Sequence, residues 1–498
     1  MMKPHSELGN AARGGAVTLV GSISSAALGF LLSVVLARLL GTGGSGVVLQ
    51  AIAFFTIVLA VSRLGLDTTA VWMLPRLLHD ERSQVRGGVV ALLVPALVAP
   101  LLVVGVWFLL VATSEGPLLS TEVDRAVSFV VVFVPAAATM TVALAATRAF
   151  GGVLPFNLIG NVGVPALRVI GVATAIGLGG GTAAAAVGWA APWFVGTLLS
   201  VWVLGRQLRS LEPSTWRPAR PLAARVVRFT GPRAVASGLE QSIIWLDVIL
   251  VGLIAGAAAA GTYGIAARFV GAGVVVATAL RIVVAPRFST LLGQDRVAEV
   301  GELYAVTARW ILLFGSPVYL VLAVFSPTVL GWLGGDFSEG AAAMTILCLG
   351  SVALLAAGNV QSLLLMSGRS GWAAFNKLVV LGLNVVGNLI LIPILGIEGA
   401  AITWVASMVV DTSLAVLQVR RATGLSLDPY GIGAVLLGVV LVVGGPCVVV
   451  AQLMGQGTWS LVVGVVVSGG ALLGAAVLAR GFLHVEELRA VIGSRRAS

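Results

Sequence analysis

Apolar stretches long enough for a membrane-spanning helix, which takes roughly 20 residues, recur along the whole chain. They lie at about 15–39, 45–74, 87–112, 122–147, 155–177 and 182–205, then at about 230–255, 261–285, 305–326, 340–366, 373–394 and 398–419, and finally at about 430–453 and 458–479. The pattern predicts an all-α polytopic membrane protein of about 14 transmembrane helices. The first stretch, about 25 residues long, exceeds the apolar core of about 7–15 residues in a cleavable signal and is read as the first span.

Composition agrees with the pattern. Of 498 residues, 58% are hydrophobic and 10% charged, and the mean hydropathy is +1.06, which leaves too little polar surface for a water-soluble globule. Cys348 and Cys447 fall inside predicted spans, where no disulfide is expected. His5, His79 and His484 lack metal-ligand spacing, so no metal site is expected.

The arginines set the orientation, because cytoplasmic loops retain Lys and Arg. With the N-terminus inside, the segments around Arg76, Arg148, Arg206 to Arg228, Arg287, Arg369, Arg420 and the tail are all cytoplasmic. The opposite turns are small (Gly41 to Gly46, Gly177 to Gly181, Gly256 to Gly261) or acidic (Glu115, Asp336, Glu339). Both termini are therefore expected in the cytoplasm. The net charge of +10 follows from this topology, since the basic residues are spread over separate loops without a nucleic-acid-binding motif.

Pro213, Pro218 and Pro221 lie in a basic stretch that interrupts the chain near its middle. The expected organisation is a six-helix lobe at 1–207, a cytoplasmic linker at 208–228, a second six-helix lobe at 229–421, two further helices at 422–480 and a cytoplasmic tail at 481–498. Internal repeats are the basis of many carriers. Here the turn Gly41-Thr42-Gly43-Gly44-Ser45-Gly46 leads into a helix ending at Pro75-Arg76, and Gly256-Ala257-Ala258-Ala259-Ala260-Gly261 leads into one ending at Pro286-Arg287.

Three further patterns carry a resemblance: Leu36-Ala37-Arg38-Leu39-Leu40-Gly41, Gly261-Thr262-Tyr263-Gly264-Ile265-Ala266-Ala267, and Leu391-Ile392-Pro393-Ile394-Leu395-Gly396-Ile397-Glu398-Gly399-Ala400-Ala401. With them nearly the whole chain resembles the Wzx-type polysaccharide flippases. Their superfamily of multidrug, oligosaccharidyl-lipid and polysaccharide exporters also holds lipid II flippases and multidrug extruders. The resemblance implies two six-helix lobes around a central cavity and a lipid-linked oligosaccharide moved across the membrane by alternating access, for cell-surface polysaccharide synthesis. The alternative is a cation-coupled exporter of drugs or other small molecules. Implied partners are the polyprenyl-pyrophosphate-linked glycan, the bilayer, a polysaccharide polymerase and glycosyltransferases; the implied location is a bacterial cytoplasmic membrane.

Charges at membrane depth mark candidate site residues. Arg38, Arg63, Asp67, Arg168, Arg233, Glu240, Asp247, Arg268, Arg281 and Asp411 all fall in predicted spans. At about 3 kcal/mol each on insertion scales, they would together cost on the order of 30 kcal/mol facing lipid. They must face one another or water. Arg38, Arg63, Arg268 and Arg281, with Asp67 and Arg168, form the candidate substrate-binding set, because guanidinium forks suit phosphate oxygens. The competing reading has Arg38 and Arg233 snorkelling to an interface, Arg63 pairing with Asp67 for structure alone, and Arg168 balancing a carboxylate between helices.

Flipping a charged headgroup calls for an energy source, and Na⁺ or H⁺ coupling through a carboxylate is expected in place of a bound cofactor. Asp247, Asn384, Asn388 and Thr403 resemble the cation site of lipid II flippases, though asparagine stands where that family has an acidic residue; plain interhelical hydrogen bonding is the alternative. The first span lacks the carboxylate expected of a multidrug extruder. An enzyme is not expected, because the longest outside segment, about Pro327 to Glu339, is too short to carry a catalytic centre. Lys3 and Lys377, the only lysines, rule out a P-loop.

Overall fold

The computed structural model describes residues 4–211, 215–272, 284, 287–425 and 428–478. Among them helix follows helix, with no strand. In hydrocarbon each backbone N–H and C=O must be satisfied within the protein, and a helix does this inside one segment. Eleven helices are long and apolar enough to cross a membrane, or up to twelve if the bent pair Thr121–Val131 and Val134–Phe150 is one span. The stretch Val17–Asp80 counts once there but is broken at non-helical Gly41, and Ala257–Ala272 begins another helix at the edge of the described residues. Together these reach the about 14 spans read from the pattern.

Surface chemistry fits a lipid solvent. The most apolar window of Arg82–Thr113 has a mean hydropathy of 2.8, yet 22% of it is buried, and large residues such as Leu102 and Leu109 face outward. Such a surface would drive aggregation in water. The protein is a multi-pass membrane protein.

The chain divides into two compact units, one running to Gly264 and one starting at Ile265. In the first, Pro4–Ser62 packs against Arg220–Ala255, and Val134–Thr147 against Pro192–Arg209. The basic stretch after Arg206 is pinned to this unit: Arg86 donates to the carbonyls of Leu208 (3.2 Å) and Leu211 (3.3 Å), and its guanidinium lies over the Trp216 ring, 5.4 Å from the centroid.

The two glycine-rich turns matched in the sequence meet each other within this unit. Gly41 (φ 66°, ψ −169°) and Gly256 (φ 91°) share a backbone conformation essentially confined to glycine. A Cβ on Gly46 would overlap the carbonyl of Ala257, and one on Gly261 would overlap that of Thr42. Because Thr42 corresponds to Ala257 and Gly46 to Gly261 in the repeat, the contact is reciprocal, as at a two-fold interface. Gly41→Ala is therefore expected to destabilise the protein by about 1–3 kcal/mol, read as a lowered unfolding temperature in detergent, with Gly256→Ala showing the same loss.

In the second unit Val297–Val324 packs against Ala341–Leu355, which breaks at Ala356–Asn359 before resuming as Val360–Met366. Ser370–Leu395 and Ile397–Thr423 form a hairpin about Gly396 (φ 61°). Pro429–Val439 opens the penultimate span and Thr458–Leu478 forms the last. Trp459 is exposed, as expected of a bilayer anchor, but Trp310, which its place near a predicted interface marks as another, is buried inside the unit. Hydropathy locates a tryptophan along a span and not around it.

Candidate functional site

The second span is discontinuous where its charges lie. Pro4–Ser62 ends, Leu64 (φ 57°) and Gly65 (φ 67°) adopt left-handed conformations, and Leu66–Asp80 restarts. Gly65 is required twice over, by its φ and because the side chain of Arg233 lies against its α-carbon. A leucine held at positive φ is uncommon. This break sets Arg63 one turn ahead of Asp67, with Nη1 3.3 Å from Oδ2. Arg63 Nε and Asp67 Oδ1 are buried without partners, so the pair leaves polar capacity unused on both sides.

Arg63 and Asp67 line a cavity of about 410 Å³ together with Arg148, Asn161, Phe156 and Trp193. Part of the lining comes from an unusual element, the π-helix Phe156–Gly163, which continues into the regular helix Val164–Gly177 with Pro165 in its first turn. Long π-helical stretches are rare and frequent at functional sites. Here the π-helix turns Gly160 and Asn161 to the cavity, while buried Asn157 accepts from Asn161 (2.8 Å) and donates to Val153 O (2.8 Å). Arg148, exposed at the mouth, stacks over Phe156 at 5.0 Å. Two cations, one carboxylate and an amide thus face one cavity, an arrangement suited to an anionic, hydroxyl-rich ligand.

Among the described residues no carboxylate pairs with Arg168. Its guanidinium sits 4.7 Å from the Trp189 ring centroid and 4.2 Å from that of Trp193, so aromatic faces hold the cation. Its Nε and the Nε1 of Trp193 are buried and unpartnered. Through Trp193 it stands directly behind the cavity wall.

Arg38 is exposed three residues before Gly41 and does not line the Arg63 cavity. Arg268 is half-buried in the second unit, and Arg281 lies outside the described residues. Asp247, in the first unit, accepts a 2.6 Å hydrogen bond from Tyr263, a residue of the glycine-rich motif that opens the eighth span. In the second unit Asn388 donates to Asn384 (3.0 Å), and Asn388 Oδ1, Asn384 Nδ2 and Thr403 Oγ1 are buried without partners. These three residues supply only neutral oxygens, whereas a hard cation favours charged ones.

A second polar cluster gives Asp411, one of the charges at membrane depth, its partners. Asp411, buried in Ile397–Thr423, accepts from Lys377 (2.7 Å) and Gln361 (2.9 Å). Elsewhere in this unit, Arg309 pairs with Asp428, which caps the helix Pro429–Val439 by accepting from the Gly431 amide (3.0 Å). The Gly431 N–H, then the Arg309 side chain, hold the Asp428 carboxyl below the usual carboxylate range. A carboxyl whose folded value is depressed stabilises the fold above its unfolded value and loses that contribution as pH falls through the folded one. Asp428→Asn should thus lower stability at neutral pH and abolish that part of the acid sensitivity between neutral and strongly acidic buffer, measured as unfolding temperature against pH.

Comparison with known proteins fixes the family. The polysaccharide biosynthesis protein family matches residues 11–292, more than half of the chain. The chain belongs to that family. This polysaccharide biosynthesis protein also matches the MatE family over residues 232–390. It is 24% identical over 218 residues to a probable low-salt glycan biosynthesis flippase, Agl15, of Haloferax volcanii; the match covers 43% of this chain and 44% of that protein, less than half the relative's length. Among solved structures it is similar to the lipid II flippase MurJ in an inward closed conformation (TM-score 0.73, 12% identity, 93% of this chain and 99% of that one). It is also similar to an inward-facing multidrug resistance MATE transporter of the MOP superfamily (TM-score 0.62, 14% identity, 82% and 95%). A MOP superfamily transporter from Pyrococcus furiosus matches with TM-score 0.57 at 15% identity over 86% of this chain and 96% of its own. At these identities the likeness is one of fold.

Within this polysaccharide biosynthesis protein, several residues of the cavity carry no sequence signal of their own. Arg148 reads as a loop cation, Trp193 as an apolar span residue and Asn161 as an isolated amide. Lys377 did carry a signal: it is one of two lysines among 30 Lys and Arg residues.

Proposed function

We propose that this protein is a flippase that moves a lipid-pyrophosphate-linked oligosaccharide from the cytoplasmic to the outer face of a bacterial cytoplasmic membrane by alternating access. The observation that carries the reading is the cavity holding Arg63, Arg148, Asp67 and Asn161 at a broken span, in a member of a polysaccharide biosynthesis family. Guanidinium forks match pyrophosphate oxygens, while the carboxylate and amide match sugar hydroxyls. The flippase named among its relatives supports the same reading. Arg38, Arg268 and Arg281 are proposed to serve the substrate at other points of its path. Transport is proposed to draw on Na⁺ or H⁺, and glycosyltransferases and a polymerase are the proposed neighbours in the pathway.

The test is transport of a fluorescent lipid-linked oligosaccharide in proteoliposomes containing the purified protein. Protein-dependent flipping is expected. The MatE match favours a second reading as a multidrug exporter, and coupled efflux of cationic drugs without glycan-lipid flipping would decide for it. The orientation predicts that tags near Pro213 and at Ser498 stay inaccessible from outside intact cells; labelling of either by an impermeant reagent would reverse it.

A further inference from the structure

The Asp411 cluster takes no part in the cavity above, and its hydrogen bonding is lopsided. Both Lys377 Nζ (2.7 Å) and Gln361 Nε2 (2.9 Å) bind Oδ2, whereas Oδ1 is buried and unpartnered. Asp411 is 4% exposed. A carboxylate can accept at both oxygens, so one buried oxygen keeps its accepting capacity unused.

The cluster lies beside a broken span. Gly350 packs against Val405, which puts the break at Ala356–Asn359, six residues on, level with Asp411. At the break Gly358 has φ 56°, Tyr304 donates to the Ala357 carbonyl (2.9 Å), and Asn359, 2% exposed, has neither amide atom partnered. Unwound backbone and unpaired polar groups at mid-span are where carriers seat ions. A metal ion is a poor occupant, since hard cations need several oxygens and an ammonium already stands at the carboxylate. A proton needs a single lone pair.

We propose that Asp411 is the proton-accepting residue of this carrier, with Lys377 as its resident counter-ion, and that a proton arriving at Oδ1 releases the Lys377 ammonium to a phosphate-bearing ligand. The proton comes from water and makes Asp411 neutral, Lys377 stays protonated, and the positive charge so uncovered is cancelled by the anion. Lys377 has 30% of its side chain exposed, which gives the ammonium a way out. It is the only lysine in the spans, and a compact ammonium on a flexible stem changes partners more readily than a planar guanidinium. Of the elements packed on this helix, Ser370–Leu395 contributes Lys377, Val360–Met366 has no titratable group, and Ala341–Leu355 has Cys348, level with Thr403 and about 12 Å along the axis from Asp411. Glu398, Arg420 and Arg421 lie at the ends of Asp411's own helix, and Tyr304 reaches the break from Val297–Val324. The anion half of the proposal rests on the carrier reading above; the proton half does not.

The test uses the purified full chain in lipid nanodiscs. Infrared difference spectra between acidic and alkaline buffer should contain the carbonyl band of a buried carboxylic acid that Asp411→Asn removes and Asp67→Asn leaves. Asp411→Asn imitates the protonated state at similar size, so at alkaline pH it should bind inorganic pyrophosphate about tenfold more tightly than wild type, the low end for one charge-assisted contact. Adding Lys377→Gln to that variant should cancel the gain. An unchanged band in Asp411→Asn, or a response that sodium chloride reproduces without acid, would overturn the proposal. Absence of glycan-lipid flipping by the same preparation would sink the proposed function without altering the band, so the two failures are distinguishable.

Discussion

Lys377→Met is expected to destabilise the protein by about 3–5 kcal/mol, because it strips a buried carboxylate of its counter-ion. Asp411 is the more deeply buried partner, with 6% of its side chain exposed against 30% for Lys377. Gln361 alone would then face a full negative charge, and Asp411 Oδ1 already lacks a partner. The attraction between the partners is not the source of this loss, since a buried pair roughly offsets its own desolvation; the loss comes from the charge left behind. The double variant Lys377→Met/Asp411→Leu should therefore recover most of the stability, which an additive effect of two damaging substitutions would not do. Unfolding temperatures of the wild type, both single variants and the double variant in one detergent decide it. A double variant as unstable as Lys377→Met would show that shape, and not charge, dominates at this position.

Arg63→Ala is expected to lower lipid-pyrophosphate affinity by about 10- to 150-fold and to bring glycan-lipid flipping close to background, since one charge-assisted contact contributes roughly 1.5–3 kcal/mol. Arg63→Lys should recover only part, because an ammonium keeps the charge and loses the fork. The partner adds a second arm. Arg63 and Asp67 are half-buried and share a 3.3 Å contact, so a merely structural pair would make Asp67→Asn resemble Arg63→Ala in every assay. A ligand-binding arginine would instead leave Asp67→Asn able to bind inorganic pyrophosphate at least as well as wild type. Flipping and pyrophosphate binding, with unfolding temperature measured in parallel, separate these outcomes; normal flipping by a folded Arg63→Ala protein would remove the cavity from the transport path.

The repeat-related turns explain why part of the fold could be read directly from the chain. Gly41 and Gly256 must be glycine for backbone reasons, and Gly46 and Gly261 for contact reasons, so residue identity alone records the geometry there. The same holds for the spans, whose length and hydropathy answer to the thickness of a bilayer. The break in the second span is partly legible, since Arg63 and Asp67 could not face lipid, although nothing in Leu64 announces a left-handed residue. The partner of Arg168 was not legible. An arginine at membrane depth calls for compensation, and whether a carboxylate or two indole faces provide it depends on which helix lies alongside.

By itself, then, the sequence determined the solvent, the helical class, the succession of spans and the residues too costly to leave in lipid, because each depends on composition over a single helix or on one residue's own transfer energy. Tertiary structure decided the pairing of those costly residues. It brought Arg148, 81 positions after Asp67 in the sequence, into one cavity with it, gave Asp247 a tyrosine, and set Lys377 and Gln361 on the same oxygen of Asp411. Such pairings are interactions between helices distant in sequence, and their energies depend on interatomic distance and local dielectric, which exist only once the helices have packed.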